Sequence, residues 1–273
     1  MRDLERSNSG FSLRRLTKVV IRAAGYELRR RAELLPVAPD IHHAEVFPNA
    51  TYSPWLADRE FQDVYEVIRH NTLVDIYRCY ELWQLIAEAA KLEGGDVLEI
   101  GVWRGGTGAL IAKKCQLAGI HAPIYLCDTF RGVVKAGSLD GAYVGGEHAD
   151  TTKEVVLDLC RRLNLDRVQI LEGIFPDHTG ARVSDRQFRL CHIDVDVYES
   201  ARDISNWIFP RLVPGGMIVY DDYGFYSCSG ITRFVDEERR KPDRFVIHNL
   251  NGHALVIKIG DAVRIENMEG HDD

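Results

Sequence analysis

From about residue 73 the chain alternates in a regular way: a short apolar run, a turn, an amphipathic stretch, then another apolar run. The runs at Asp96–Val102, Ile124–Cys127, Val168–Leu171, Arg189–Ile193 and Met217–Tyr220 are short and rich in Val, Ile and Leu, as strands buried on both faces are. Between them, residues 73–91, 106–118, 155–163, 199–209 and 231–240 read as helices. In the first of these Leu73, Ile76, Tyr77, Tyr80, Trp83 and Ile86–Ala87 are expected on one apolar face. Strands joined through helices need crossover connections, so the sheet is mainly parallel with helices on both faces. Phe245–His248 and Ala254–Ile259, around Asn251–Gly252, read as a closing antiparallel hairpin and bring the strands to seven. The fold class is therefore α/β.

Charge divides the chain. The net charge of −7 argues against a general nucleic-acid binder, which carries a basic footprint. Residues 1–31, with nine Lys/Arg and three acids, stand at +6, which leaves −13 on the rest. Within them FSLRRLTKVVIRAAGYELRRR (11–31) spaces Leu13, Leu16, Val20 and Ala24 as a basic amphipathic helix. Three roles fit it: an arm packed on its own domain or on a dimer mate, a peripheral contact with a membrane surface, or a disordered tail. Residues 35–59 hold four prolines and little periodicity, so 1–59 is expected to be a helix and linker preceding a catalytic domain at 60–273. Six scattered cysteines without a C-x-x-C pair suit a reducing, cytoplasmic setting. No apolar run approaches the roughly 18 residues of a membrane span, and Arg14, Arg15, Lys18 and Arg22 interrupt any signal-peptide core. A homo-oligomer is expected.

Open parallel sheets bind ligands outside the carboxyl ends of their strands. Glu99, Asp128, Asp194 and Asp221–Asp222 all fall at or near such ends. Acids gathered on one rim repel one another unless a cation binds there. In LCHIDVDVYES (190–200) an apolar strand ends with two of these acids, Asp194 and Asp196, two residues apart. Taken alone, that pair fits a metal, a proton, a cofactor or a solvated turn.

VLEIGVWRGGTG (97–108) is a strand, an acid, a glycine-rich turn and a helix start. Gly101, Gly105 and Gly106 permit close backbone approach, although the spacing is not the dinucleotide fingerprint G-x-G-x-x-G. Asp128 ends the next strand, where an acid can accept the hydroxyls of a ribose. The two elements together suggest an adenosine cofactor.

These motifs, with LCDTFRG (126–132), HIDVDVYES (192–200), LVPGGMIVYDDY (212–223) and CSGITRFVDE (228–237), resemble the TylF-type family, the macrocin O-methyltransferases. The resemblance covers roughly residues 60–258. It implies a Rossmann-like class I methyltransferase fold, S-adenosylmethionine and Mg²⁺ as cofactors, and a sugar hydroxyl of a glycosylated natural product or surface glycan as acceptor. By similarity, Glu99 reaches the amino-acid end of the cofactor, and Gly101, Trp103, Gly105 and Thr107 line its methionine portion. Asp128 binds the ribose, and Thr129 and Gly173 flank the adenosine. Asp194, Asp221 and Asp222 match the family's magnesium ligands, and Asp196 its general base. The chemistry agrees: three carboxylates make a hard oxygen site suited to Mg²⁺, and vicinal hydroxyls could displace its waters. A catechol-like aromatic diol is the alternative acceptor, and a non-catalytic cofactor-binding scaffold the reading from another class.

Other residues are less telling. Arg131–Thr152 holds five glycines and reads as a mobile flap, with Tyr143 and His148 able to touch the acceptor or to be solvated loop residues. His192 is expected to face away from Asp194 as a satisfied structural histidine. Tyr198 and Trp207 are expected to pack, His42–His43 to lie at the surface, and Tyr52 and Trp55 either to stack on a sugar or to pack.

Overall fold

The computed structural model describes residues 40–260 apart from 45, 47 and 48. The basic helix expected at 11–31, and most of the expected N-terminal segment, lie outside the described residues.

Helix α1 (Arg59–Ile68) is an element the alternation does not include. Its signal is there nonetheless: Phe61, Val64 and Ile68 recur at helical spacing on its buried face, and the Asp58 carboxylate caps it by accepting the Phe61 N–H. Helix α2 (Ile76–Ala89) begins at Asp75, which accepts the N–H groups of Tyr77 and Arg78. Its buried stripe is Cys79, Leu82, Trp83 and Ile86, an i, i+3, i+4, i+7 set. Leu73 and Tyr77, expected on that face, lie outside the stripe and are exposed. Trp55 packs edge-on against Tyr77 and Tyr80 at 5.1 and 6.1 Å between ring centroids, and Tyr52 is exposed. Neither reaches the cleft described below.

The seven strands are β1 (Asp96–Ile100), β2 (Ile124–Asp128), β3 (Val168–Glu172), β4 (Phe188–Ile193), β5 (Leu212–Tyr220), β6 (Arg244–His248) and β7 (Ala254–Lys258). They form one sheet in the order β3-β2-β1-β4-β5-β7-β6, parallel except where β7 pairs with β5 and β6. Helices α3 (Gly106–Leu117), α4 (Lys153–Arg162), α5 (Tyr198–Ile208) and α6 (Ser229–Glu238) complete the layers. Period-two alternation assigns the faces. Val97, Leu126, Leu190 and Val219 pack under α1–α4, whereas Leu98, Cys191, Ile218 and Tyr220 pack under α5 and α6. Trp207 packs on Phe175, and Tyr198 on Phe234, as expected.

That alternation also buries two polar residues. Glu99 and His192 are register partners across β1 and β4 on the α1–α4 face, and both have zero exposure. A buried carboxylate is costly without a partner. Here His192 Nδ1 lies 2.9 Å from Glu99 Oε1.

From β1 the chain runs outward to β2 and β3, then returns to place β4 on the other side of β1. The strand order reverses there, so a crevice opens above the C-terminal ends of β1 and β4. Gly101 stands at this point with φ of +84°. A Cβ on it would overlap the Asp194 carbonyl oxygen, because the two strand ends touch. Gly101→Ala is therefore expected to cost about 1–3 kcal/mol of stability and to displace Asp194, measurable as a lowered melting temperature.

Candidate active site

The crevice is a cleft of about 1110 Å³, counting its open mouth. Gly101, Trp103, Thr107, Asp128, Thr129 and Gly173 line one part, and Asp194, Asp196 and Asp221 another. Asp222 joins the acid cluster from behind its wall. Two residues assigned to the cofactor by resemblance are placed elsewhere. Gly105 does not line the cleft but begins α3 with φ of +84°, packed against Val156. Glu99 does not line it either, since its position on β1 turns it beneath α3, close to Gly108 and paired with His192.

Asp128 ends β2 and organises the turn above it. Its Oδ2 accepts the N–H groups of Val102 and Trp103 at 2.7 and 2.8 Å, and its Oδ1 accepts that of Phe130 at 2.6 Å. A carboxylate can accept about four hydrogen bonds, so acceptor capacity remains toward the cleft. Trp103 has φ of +46°, and its indole N–H donates to Asp150 at 2.8 Å.

The acids form two overlapping groups. Carboxylate oxygens of Asp194, Asp221 and Asp222 lie within 4.8 Å of one another, and oxygens of Asp196 and Asp222 lie equally close to each other and to the Cys228 Sγ. Asp222 thus sits between the other two: its Oδ2 accepts the Asp196 N–H at 3.0 Å. Asp196 has φ of +65°, a region that non-glycine residues occupy at a cost. The strand has already ended at Ile193, and the kink turns the chain beyond Asp194 and Val195. Burial, then the neighbouring negative charges, holds Asp194 and Asp222 well above the usual carboxylate range. Burial also raises Asp196, against the opposing effect of the nearby Tyr143 hydroxyl. A donor set of oxygens that includes the uncompensated carboxylates of Asp194 and Asp222 fits a hard divalent cation.

Asp221 differs. Its Oδ1 lies 2.8 Å from His253 Nε2 and 3.4 Å from His192 Nε2, and its Oδ2 pairs with Arg78. Despite burial, these partners hold its carboxyl well below the usual range. His192 is thus not remote from the acids as expected. Residues two apart on a strand share a face, so His192 sits directly beneath the rim that Asp194 tops. Bonds to Asp221 and Glu99 outweigh burial and raise His192 to about 9. Because the folded protein holds this proton more tightly than the unfolded chain, the contribution is fully present below 6.5 and lost as pH rises through about 9. The protein should therefore melt at a lower temperature at pH 9 than at pH 6.5, and His192→Asn should flatten that slope.

Sequence reading missed Arg78 and His253. Arg78 carried a signal, a charged residue inside an apolar helix stripe; His253 follows a hairpin turn and carried none. The segment 131–152, expected as a mobile flap, has neither helix nor strand but is pinned. Val133 and Glu147 pair through main-chain atoms at 2.8 Å, Ser200 donates to the Val134 carbonyl at 2.9 Å, and Ser229 to that of Leu139 at 2.9 Å. Buried Asp140 accepts the Tyr198 N–H at 2.8 Å, which supplies the cap that the N-cap residue of α5, Val197, does not. Asp140→Ala is expected to cost about 1–2 kcal/mol by chemical denaturation, the usual value of a lost cap. Tyr143 and His148 both line the cleft, on the Asp196 side.

Comparison with known proteins agrees with this architecture. Residues 67–246 match the sequence profile of the macrocin O-methyltransferase (TylF) family. The chain is 31% identical over 171 residues to the 8-demethyl-8-(2,3-dimethoxy-alpha-L-rhamnosyl)-tetracenomycin-C 4'-O-methyltransferase of Streptomyces olivaceus, covering 58% of this chain and 64% of that protein. It is 31% identical over 186 residues to the mycinamicin III 3''-O-methyltransferase of Micromonospora griseorubida, covering 62% and 71%. Among solved structures, the O-methyltransferase NovP superposes with a TM-score of 0.61 at 23% identity, covering 70% of this chain and 83% of that one, a likeness of fold. With the strand order and the motifs at its strand ends, these matches place the chain in the macrocin O-methyltransferase (TylF) family of S-adenosylmethionine-dependent O-methyltransferases.

Proposed function

We propose that this protein transfers a methyl group from S-adenosylmethionine to a sugar hydroxyl of a glycosylated natural product, with Mg²⁺ held by Asp194, Asp221 and Asp222 and with Asp196 as general base. The observation that carries the reading is the cluster of Asp194, Asp221 and Asp222 with Asp196 beside Asp222, set at the cleft that the glycine turn and Asp128 also line. The two relatives act, by their names, on a rhamnosyl tetracenomycin and on a mycinamicin, which supports a glycoside acceptor.

S-adenosylmethionine supplies a methyl group already activated on a sulfonium. Gly101, Trp103, Thr107 and Gly173 would hold its amino-acid and adenosine parts, and Asp128 its ribose through the acceptor capacity left on its carboxylate. Mg²⁺ would supply orientation of two adjacent hydroxyls and greater acidity of one. The chain's own work is then positional. The kink at Asp196 aims a carboxylate, raised in basicity by burial, at the side of the cluster where a hydroxyl proton must leave. The carboxylate's link to Asp222 through the Asp196 N–H fixes the distance between base and cation site. The cleft wall of Tyr143 and His148 faces the acceptor side.

The test is a screen of rhamnosyl and other deoxysugar glycosides with labelled S-adenosylmethionine, products being located by NMR. The reading expects one methyl ether on a hydroxyl that has a free hydroxyl beside it. Transfer only to aromatic diols would overturn it.

A further inference from the structure

Asp221 is held by more partners than a metal ligand requires. Arg78 reaches it from α2, pairing with Oδ2 and donating to its main-chain carbonyl at 3.1 Å. The guanidinium is itself fixed, with Nε 2.8 Å from Asp75 Oδ2 and Cζ 4.7 Å from the Phe225 ring centroid. His253 reaches Oδ1 from the hairpin turn, and its other nitrogen lies 2.7 Å from Glu81, again on α2. Arg78 and His253 are 7% and 0% exposed, so water does not screen these contacts.

From this geometry we infer that Arg78, with His253, is a positioning clamp on Asp221 that trades cation affinity for a single carboxylate orientation. The inference rests on the metal reading above. A guanidinium against one ligand of a cation site repels the incoming cation, and it is worth that cost only if it fixes something else. What it fixes is the rotation of Asp221, since both oxygens are engaged before any cation arrives. Asp194 and Asp222 then supply most of the attraction, and Asp221 supplies direction.

The two roles predict opposite signs. Arg78→Met removes the charge and keeps the apolar stem, so Mn²⁺ binding to the protein without acceptor should tighten by about three- to tenfold. Turnover should fall by tenfold or more at saturating metal, with little change in acceptor KM. Arg78→Lys keeps the charge and loses the fork, so Mn²⁺ affinity should stay within about threefold of the parent while turnover still falls. Mn²⁺ binding is read by electron paramagnetic resonance, with circular dichroism as the check on folding. If Arg78→Met does not fold, the affinity of Arg78→Lys carries the test. Mn²⁺ binding that is unchanged or weaker in Arg78→Met, or weakened well beyond threefold in folded Arg78→Lys, overturns the clamp. Failure of the parent protein to bind Mn²⁺, or unaltered binding in Asp222→Asn, would instead overturn the metal reading and the clamp with it.

Discussion

Replacement of Asp196 by Asn is expected to lower kcat by roughly 10²–10⁴-fold, the range of a lost general base, while Mg²⁺ and S-adenosylmethionine still bind. Asn keeps the size of the side chain and can still accept a hydrogen bond from Tyr143. The main-chain N–H that donates to Asp222 is untouched by the substitution. Only the capacity to take a proton disappears. A burst of product in the first turnover followed by slow release would contradict the assignment, because the chemical step would then have survived.

Asp222→Asn should have an effect of two signs. It removes a buried carboxylate held well above its usual range by burial and by the charges of Asp196 and Asp221. A raised carboxylate opposes folding once the pH passes its unfolded value near 3.8, and the penalty persists at neutrality. The metal-free variant should therefore melt a few degrees above the metal-free parent at pH 7. The same variant loses a ligand, so added Mg²⁺ should no longer raise its melting temperature and methyl transfer should fall by several orders of magnitude. A variant less stable than the parent in chelator would mean that Asp222 is compensated within the fold. The cluster would then have no need of a cation.

The layers of this protein were legible because each strand is short, apolar and bounded by turns, and those features act locally. The rim of acids was legible for the same reason: parallel topology puts every strand's carboxyl end on one side. What could not be read was which acids are compensated. Asp221 and Asp222 are neighbours in sequence with the same side chain, yet their carboxyls move in opposite directions. The difference comes from His192 on the neighbouring strand, from His253 across a hairpin, and from Arg78, more than a hundred residues earlier. Glu99 illustrates the same limit. Its place in a family motif suggests the cofactor, whereas strand alternation turns it into the core against His192. The glycine turn was legible as a close approach, but it was not legible that at Gly101 the Asp194 backbone is one of the groups that come close.

The central claim, metal-assisted transfer to a glycoside, is tested most directly by one measurement. Transfer of labelled methyl from S-adenosylmethionine to a rhamnosyl glycoside is followed in excess EDTA and again after Mg²⁺ is restored. The account predicts no transfer in chelator and full recovery with Mg²⁺. Undiminished transfer in chelator would contradict it.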